Sequence, residues 1–364
     1  MLQVCKANSQ ILDEDTYHIH GTKESAQLGL AGLGATRVSD LSNGIKKPKT
    51  TFGETHVCVI NCDTATVLRA VASSFPKQKA AALNFANAHR AGGGYLNGAC
   101  AQEEELCRLM PGLYRQLLGA QEHYPLQPHV ALFTTTHLCR EFATYALIPP
   151  LKVNIITSAM PNLRNPAEAR TLVGTKLEES IRMRMRAVLN AAVQEDVRIL
   201  ILGAFGCGAF RNSPKMVARL FKEVLNDKEF SGVFSHVLFP ILEVGASVRN
   251  GNLATFRHTF EAPSSFVPTG TGLASSISGT KRKQQSGADR EERSGAGEWS
   301  ERAKRSGVFE RSKRAEPNAL QLQGTPTPQA AKRKQQPSGG EDLEAPAKRC
   351  TTGLASSATP QLPR

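Results

Sequence analysis

Three consecutive carboxylates, Glu103, Glu104 and Glu105, follow Gln102, and seven residues separate Gln102 from the glycine triplet Gly92-Gly93-Gly94. Carboxylates crowded together, and near a bound anion, hold their protons more tightly than isolated ones, which suits at least one of them to proton donation. A glycosidic bond needs such chemistry: an acid for the departing oxygen and a base for water. Acidic residues in a first helical turn also complement the helix dipole, worth about 0.3–1 kcal/mol each, so a structural role is the alternative. A second glycine-rich run, GAFGCGAFRN at 203–212, contains Gly206, Cys207, Gly208 and Phe210. Glycine lets backbone N–H groups approach a phosphate, and two such loops at strand ends suit a pyrophosphate held between them. Tight turns need glycine for steric reasons as well. Neither a P-loop nor a dinucleotide-binding fingerprint is present in the sequence, which argues against an NTPase or a dehydrogenase.

These groups must be positioned by alternating strands and helices, the pattern of an α/β domain with a parallel or mixed sheet. The apolar run HVCVINC (56–62) reads as a buried strand with Cys58 and Cys62 in the core. Asp63 is placed to cap a helix over 65–75, and Pro76 ends it. A strand over 79–85 leads into the first glycine loop, and helix follows over 102–118 with a break at Pro111. Short strands are expected at 130–133 and 153–158. One long helix is expected from Asn165, with Pro166 in its first turn and Glu168 at capping-box spacing. VRILIL (197–202) reads as a central strand feeding the second glycine loop, Ser213-Pro214 opens a helix to Leu225, and 236–242 is expected to close the sheet.

The chain of 364 residues is 40% hydrophobic, enough for a substantial core. Its composition changes near Glu261. Residues 261–364 hold 17 Lys+Arg, 11 Asp+Glu and three aromatics, amid Ser, Gly, Pro and Gln; such a segment buries too little apolar surface to offset its ordering entropy. One folded domain over 1–260 and a disordered basic tail over 261–364 are therefore expected. Net charge is +13 overall, so both parts attract polyanions. Basic clusters at 281–283, 304–305, 313–314, 332–334 and 348–349 suggest nuclear import or an electrostatic arm for nucleic acid. Runs of apolar residues are too short to span a bilayer, and the first ten residues lack a secretory pattern. Eight cysteines without a CxxC pair suggest reduced thiols in a nuclear or cytoplasmic protein.

Gly92-Gly93-Gly94 followed by Gln102-Glu103-Glu104 resembles the signature of poly(ADP-ribose) glycohydrolases, within the macrodomain superfamily. LNFANAHRAGGGYLNGACAQEEELCR, ITSAMPNLR and LGAFGCGAFRN, in that order, are similar to its compact, microbial-type branch. Ala91 and Met160 depart from that branch's usual residues without removing a reactive group. The resemblance does not cover the tail. It implies a macrodomain-like mixed sheet flanked by helices and hydrolysis of ribose–ribose bonds in poly(ADP-ribose), mainly from chain ends, releasing ADP-ribose. Glu104 would be the general acid/base, Glu103 would orient the ribose, and Asn87 would hold it. Gly92, Gly93, Gly94 and Gln102 would lie against the substrate; Gly206, Cys207 and Gly208 would cradle the diphosphate, with Phe210 packed on ribose or adenine. Structural alternatives stand beside these: a turn residue for Asn87, core aromatics for Phe205 and Phe210, a merely small residue for Cys207. Glu105 is expected on a solvated helix face. Expected partners are ADP-ribose, poly(ADP-ribose) and modified proteins, with no cofactor and no metal. The alternative functions are a macrodomain that binds ADP-ribose without turnover, and a tail-driven nucleic-acid binder.

Overall fold

The computed structural model describes residues 1–243 and 251–261; the expected basic tail, with its clusters and Cys350, lies outside them apart from Glu261. In chain order the elements are α1 (Leu2–Glu14), β1 (Thr16–His18), β2 (Ser25–Gln27), β3 (Arg37–Asp40), β4 (His56–Ile60), α2 (Thr64–Ser74), β5 (Ala80–Phe85), α3 (Gln102–Leu109), α4 (Pro111–Leu118), β6 (Val130–Arg140), β7 (Leu147–Ser158), α5 (Pro166–Thr171), α6 (Gly174–Gln194), β8 (Ile199–Ile201), α7 (Pro214–Leu225), β9 (His236–Pro240) and α8 (Asn252–Phe260). Seven strands form one mixed sheet in the order β3-β6-β7-β5-β8-β9-β4, and β1 and β2 make a separate antiparallel pair. From β7 to β4 every neighbouring pair is parallel, while β6 is antiparallel to both its neighbours, β7 and β3.

Alternating side chains along each strand serve two cores. Ala81, Leu83, Leu200, Val237 and Phe239 face a core shared with α6, α7 and α8. Ala82, Ile199, Ile201 and Leu238 face the opposite core, with α2, α3 and α4. Both faces are covered, so the inner strands read as unbroken apolar runs. The parallel strands all end on one edge, where Asp63, Ala86, Ala159, Gly203 and Ile241 follow β4, β5, β7, β8 and β9. Open α/β sheets place their ligand crevice at that edge.

Three expectations about the fold are corrected. Strand β9 does not close the sheet: it lies between β8 and β4, fully buried, and β4 is the edge with a partly exposed start. Strand order follows from the helical crossovers, which the composition of one strand does not encode. The long helix from Asn165 is two helices. Asn165 caps α5 as expected, accepting from the Ala167 N–H, but α5 ends after Thr171 and Gly174, at φ 54°, redirects the chain into α6. The strands at 130–133 and 153–158 are the inner ends of a long hairpin, joined at a tip over 141–146.

The described cysteines are all free thiols, and Cys62 is buried while Cys58 is half-buried. Burial pushes the Cys62 thiol up to about 12, which makes it a poor nucleophile.

Candidate active site

The crevice is a cleft of about 680 Å³. Its walls include Asn87, Gln102, Glu103, Glu104, Gly206, Gly208 and Phe210. Seven of the eleven expected site residues thus line one space. Gly92, Gly93, Gly94 and Cys207 stand behind its wall.

Gln102 opens α3 and completes the end of β5: its Oε1 accepts the Phe85 N–H at 2.9 Å, and its Nε2 donates to the Leu83 carbonyl at 2.8 Å. Its amide is committed to holding helix and strand together. Glu103 is 2% exposed and turns onto the glycine loop. Its Oε2 accepts from the Asn87 N–H at 2.7 Å and its Oε1 from the Gly92 N–H at 3.1 Å. Burial pushes the Glu103 carboxyl up to about 8, against the two backbone bonds that favour its charged form.

Glu104 is 7% exposed. Its Oε1 accepts the Gly94 N–H at 2.8 Å, whereas its Oε2 is buried with no partner among the described residues. The glycines permit this approach: Gly93 sits at φ 55°, and a Cβ there would collide with the Glu104 carboxylate. Asn87 shapes the same loop, its Oδ1 accepting the N–H groups of His89 and Arg90 at 2.9 and 3.1 Å. Its Nδ2 has no protein partner among the described residues.

Glu105 is not on a solvated face. Its Oε2 accepts from Arg108 Nε and from the Tyr145 hydroxyl, each at 2.9 Å. Arg108 is fully buried and also donates to the Ala99 carbonyl at 2.7 Å. The third carboxylate of the row is thus partly buried and charge-paired by Arg108 at the cleft wall, with its Oε1 buried and without a partner among the described residues. Asn8 of α1 braces this helix, with Nδ2 donating to the Arg108 carbonyl at 2.9 Å and Oδ1 accepting from Arg140 at 2.8 Å. Tyr145 and Ala143 occupy the hairpin tip at φ 55° and 68°, left-handed conformations that non-glycine residues adopt at a cost.

The second glycine loop is built differently. Asn212, 2% exposed, ties it internally and to the segment after β7: its Nδ2 donates to the Pro161 carbonyl at 2.9 Å and the Gly206 carbonyl at 3.1 Å. The Cys207 N–H is spent on the Ala204 carbonyl at 3.0 Å, so Cys207 offers no free backbone donor. The N–H groups of Gly208, Ala209 and Phe210 have no partner among the described residues. A Cβ on Gly208 would meet nothing within 4 Å, so open space begins there. Phe205 is core, its ring 5.4 Å from that of Phe85, while Phe210 is half-buried against the cleft.

Asp63 and Asn252 also line the cleft and were not read as site residues. Asp63 caps α2 through the Thr66 N–H at 2.9 Å, and burial raises its pKa. Its position directly after the strand expected over 56–62 was a usable signal. Asn252, whose buried Oδ1 has no partner among the described residues, reaches the site from α8 with no sequence signal at all.

Residues 6–139 match the family model described as microbial-type PARG, catalytic domain. The chain is similar to the solved structure of poly(ADP-ribose) glycohydrolase from Thermomonospora curvata, at 28% identity over 71% of this chain and 98% of that one, with a TM-score of 0.64. It is similar also to the enzyme of that name from Deinococcus radiodurans, solved in complex with ADP-ribose, at 32% identity over 64% of this chain and 97% of that one, with a TM-score of 0.56. No curated protein matches the chain.

Proposed function

The chain belongs to the microbial-type poly(ADP-ribose) glycohydrolase family, and from that premise we propose that it hydrolyses ribose–ribose bonds in poly(ADP-ribose) with Glu104 as general acid/base. The observation that carries the assignment is the division of labour within one carboxylate. Oε1 of Glu104 is fixed by the Gly94 N–H, and Oε2 is buried without a partner among the described residues in a residue that lines the cleft. Glu105 also has one such oxygen, but its charge is paired by Arg108, whereas no cation pairs with Glu104 among the described residues. A free oxygen on an anchored, water-poor carboxyl is suited to proton transfer.

In this reading the diphosphate of a terminal ADP-ribose lies on the N–H groups of Gly208, Ala209 and Phe210, and the Phe210 ring packs against the sugar. Asn87 Nδ2 donates to a ribose hydroxyl. Glu103 holds the loop by its two backbone bonds and retains lone pairs to orient the ribose. The Glu104 proton passes to the 2′ oxygen of the departing ribose as its bond to the anomeric carbon breaks. Positive charge develops at that carbon. The Glu104 carboxylate then takes a proton from water as the water oxygen bonds to the carbon, which restores the acid.

Attack from the chain end is supported by Met1, Phe142 and Tyr145, which line the cleft together with the α3 carboxylates, Tyr145 bonded to Glu105. The macrodomain assignment fits the mixed sheet with its ligand crevice at the strand ends. The basic clusters beyond residue 261 support nuclear import and steering toward an anionic polymer; a fluorescent fusion that remains cytoplasmic until those clusters are restored would bear on this.

The test is release of ADP-ribose from the polymer by the parent and by Glu104→Gln, with calorimetric ADP-ribose binding on both. Loss of roughly 10²–10⁴ in turnover, with affinity retained, is expected of a lost general acid. Binding without turnover in the parent leaves a reader in place of an enzyme. Oligomeric products before ADP-ribose would replace chain-end attack by internal cleavage.

A further inference from the structure

Helix α6 carries three arginines that point to different environments. Arg182 pairs with Glu223, and Arg186 with Asp227 and Glu229. Arg184, between them, turns inward and is 8% exposed. Its Nη1 donates to the Ala159 carbonyl at 2.5 Å, its Nε is buried without a partner, and no carboxylate pairs with it among the described residues. The acid that interacts with it, Glu168, is committed elsewhere: Oε2 accepts the Asn162 N–H at 2.8 Å and Oε1 lies 3.5 Å from Asn165 Nδ2. A buried guanidinium without a counter-charge is costly, and most proteins pair it.

The location accounts for the missing partner. Ala159 directly follows β7, at the crevice edge of the sheet. The next residue, Met160, packs so closely on Gly206 that a Cβ there would approach it to 2.7 Å. Asn212 joins Pro161 to Gly206, and the Leu163 N–H donates to the Phe210 carbonyl at 3.0 Å. Arg184 therefore supports, through the segment after β7, the loop whose Gly208, Ala209 and Phe210 N–H groups have no partner among the described residues. Those dipoles and this charge act in the same direction on an anion.

We propose that Arg184 is the buried counter-charge for the ligand's diphosphate, a positioning residue that holds the segment after β7 and adds a positive field behind the second glycine loop. The proposal rests on the diphosphate placement given above. It explains why the protein tolerates an unpaired internal cation: the ligand completes the pair. Without ligand the charge is partly uncompensated, and burial lowers the Arg184 pKa to about 10.

The test compares Arg184→Met and Arg184→Lys with the parent, using calorimetry with ADP-ribose and with adenosine, which lacks the diphosphate. A unit charge one loop away from the phosphates is worth about tenfold in affinity. Arg184→Met is expected to weaken ADP-ribose by about that factor and leave adenosine unchanged, with Arg184→Lys recovering most of the loss. A folded Arg184→Met with unchanged ADP-ribose affinity, or with an equal loss for adenosine, overturns the proposal. Glu168→Gln provides a second arm if the Arg184 variants do not fold. It removes the one acid acting on Arg184, so ADP-ribose should bind severalfold tighter and adenosine no differently; unchanged or weaker ADP-ribose binding overturns the proposal. Failure of the parent to bind ADP-ribose removes both this proposal and the reading beneath it, whereas binding without turnover removes only the hydrolysis.

Discussion

The two glycine loops look alike in sequence and do opposite things. The loop after β5 spends its N–H groups on the protein's own carboxylates: Gly92 donates to Glu103 and Gly94 to Glu104. The loop after β8 spends Cys207 within itself and leaves Gly208, Ala209 and Phe210 without partners among the described residues. The expectation of a pyrophosphate held between two equivalent cradles is thus refined. One loop already holds the carboxylates of Glu103 and Glu104, and the other keeps N–H groups without a partner among the described residues, which the proposed function gives to the ligand's diphosphate. A backbone nest does not distinguish a carboxylate from a phosphate; the distinction comes from whether a helix carrying acids follows the loop at the right distance. Gln102, Glu103 and Glu104 follow the first loop, whereas Asn212 and Ser213-Pro214 follow the second.

That contrast can be broken most forcefully at the carboxylates. Glu104→Gln should remove turnover and keep binding, as stated above. Glu103→Gln should damage both folding and activity, because an amide presents a donor to one of two N–H groups that now find acceptors. The expected loss is about 1–3 kcal/mol of stability, read by denaturant unfolding. The same residue gives a pH signature. Its folded pKa, about 8, lies above the ordinary carboxylate range, so its contribution to stability is fully present in acid and is lost as pH rises toward 8. Thermal midpoints of the parent should therefore contain a component that falls between about pH 5 and 8 and levels off above. Its persistence in Glu103→Gln would assign that component to another group.

Tyr145→Phe is the smallest of these changes. It removes one hydroxyl bond to Glu105, which keeps Arg108. Stability should fall by about 1 kcal/mol and turnover severalfold, with ADP-ribose affinity retained. A variant with parental turnover would show that Glu105 is held sufficiently by Arg108 alone.

Much of the site was legible because its parts are contiguous. The QEE row, the glycine triplet and the GAFGCGAFRN run each carry their own spacing, and the strands before them are apolar and short. The helix starts at Asp63, Pro166 and Pro214 were legible for the same reason, since caps act over three residues. What escaped was long-range. Glu105 has the composition of a surface residue, and only Arg108, within a bundle braced by Asn8 and Tyr145, draws it off the solvated face to the cleft wall. Asn8 lies 100 residues from Arg108, and no periodicity links them. The rank of β9 in the sheet and the break at Gly174 depend on crossovers and on packing that a single segment does not express. Arg184 escaped because its helix places arginines on several faces, and composition cannot say which one turns inward.

The central claim, that one glycine loop serves catalysis and the other serves binding, is tested most directly by a matched pair of alanines. Gly93→Ala places a side chain at φ 55° against the Glu104 carboxylate, and Gly208→Ala places one in the open space before the unpartnered N–H groups. Turnover at saturating polymer and ADP-ribose affinity would be measured on both. Gly93→Ala is predicted to lower kcat at least tenfold with affinity nearly kept, after the backbone cost of about 1–2 kcal/mol that a left-handed residue carries. Gly208→Ala is predicted to weaken ADP-ribose severalfold with kcat nearly kept. Equal losses of both quantities in both variants, or the reverse assignment, would contradict the division of roles between the loops.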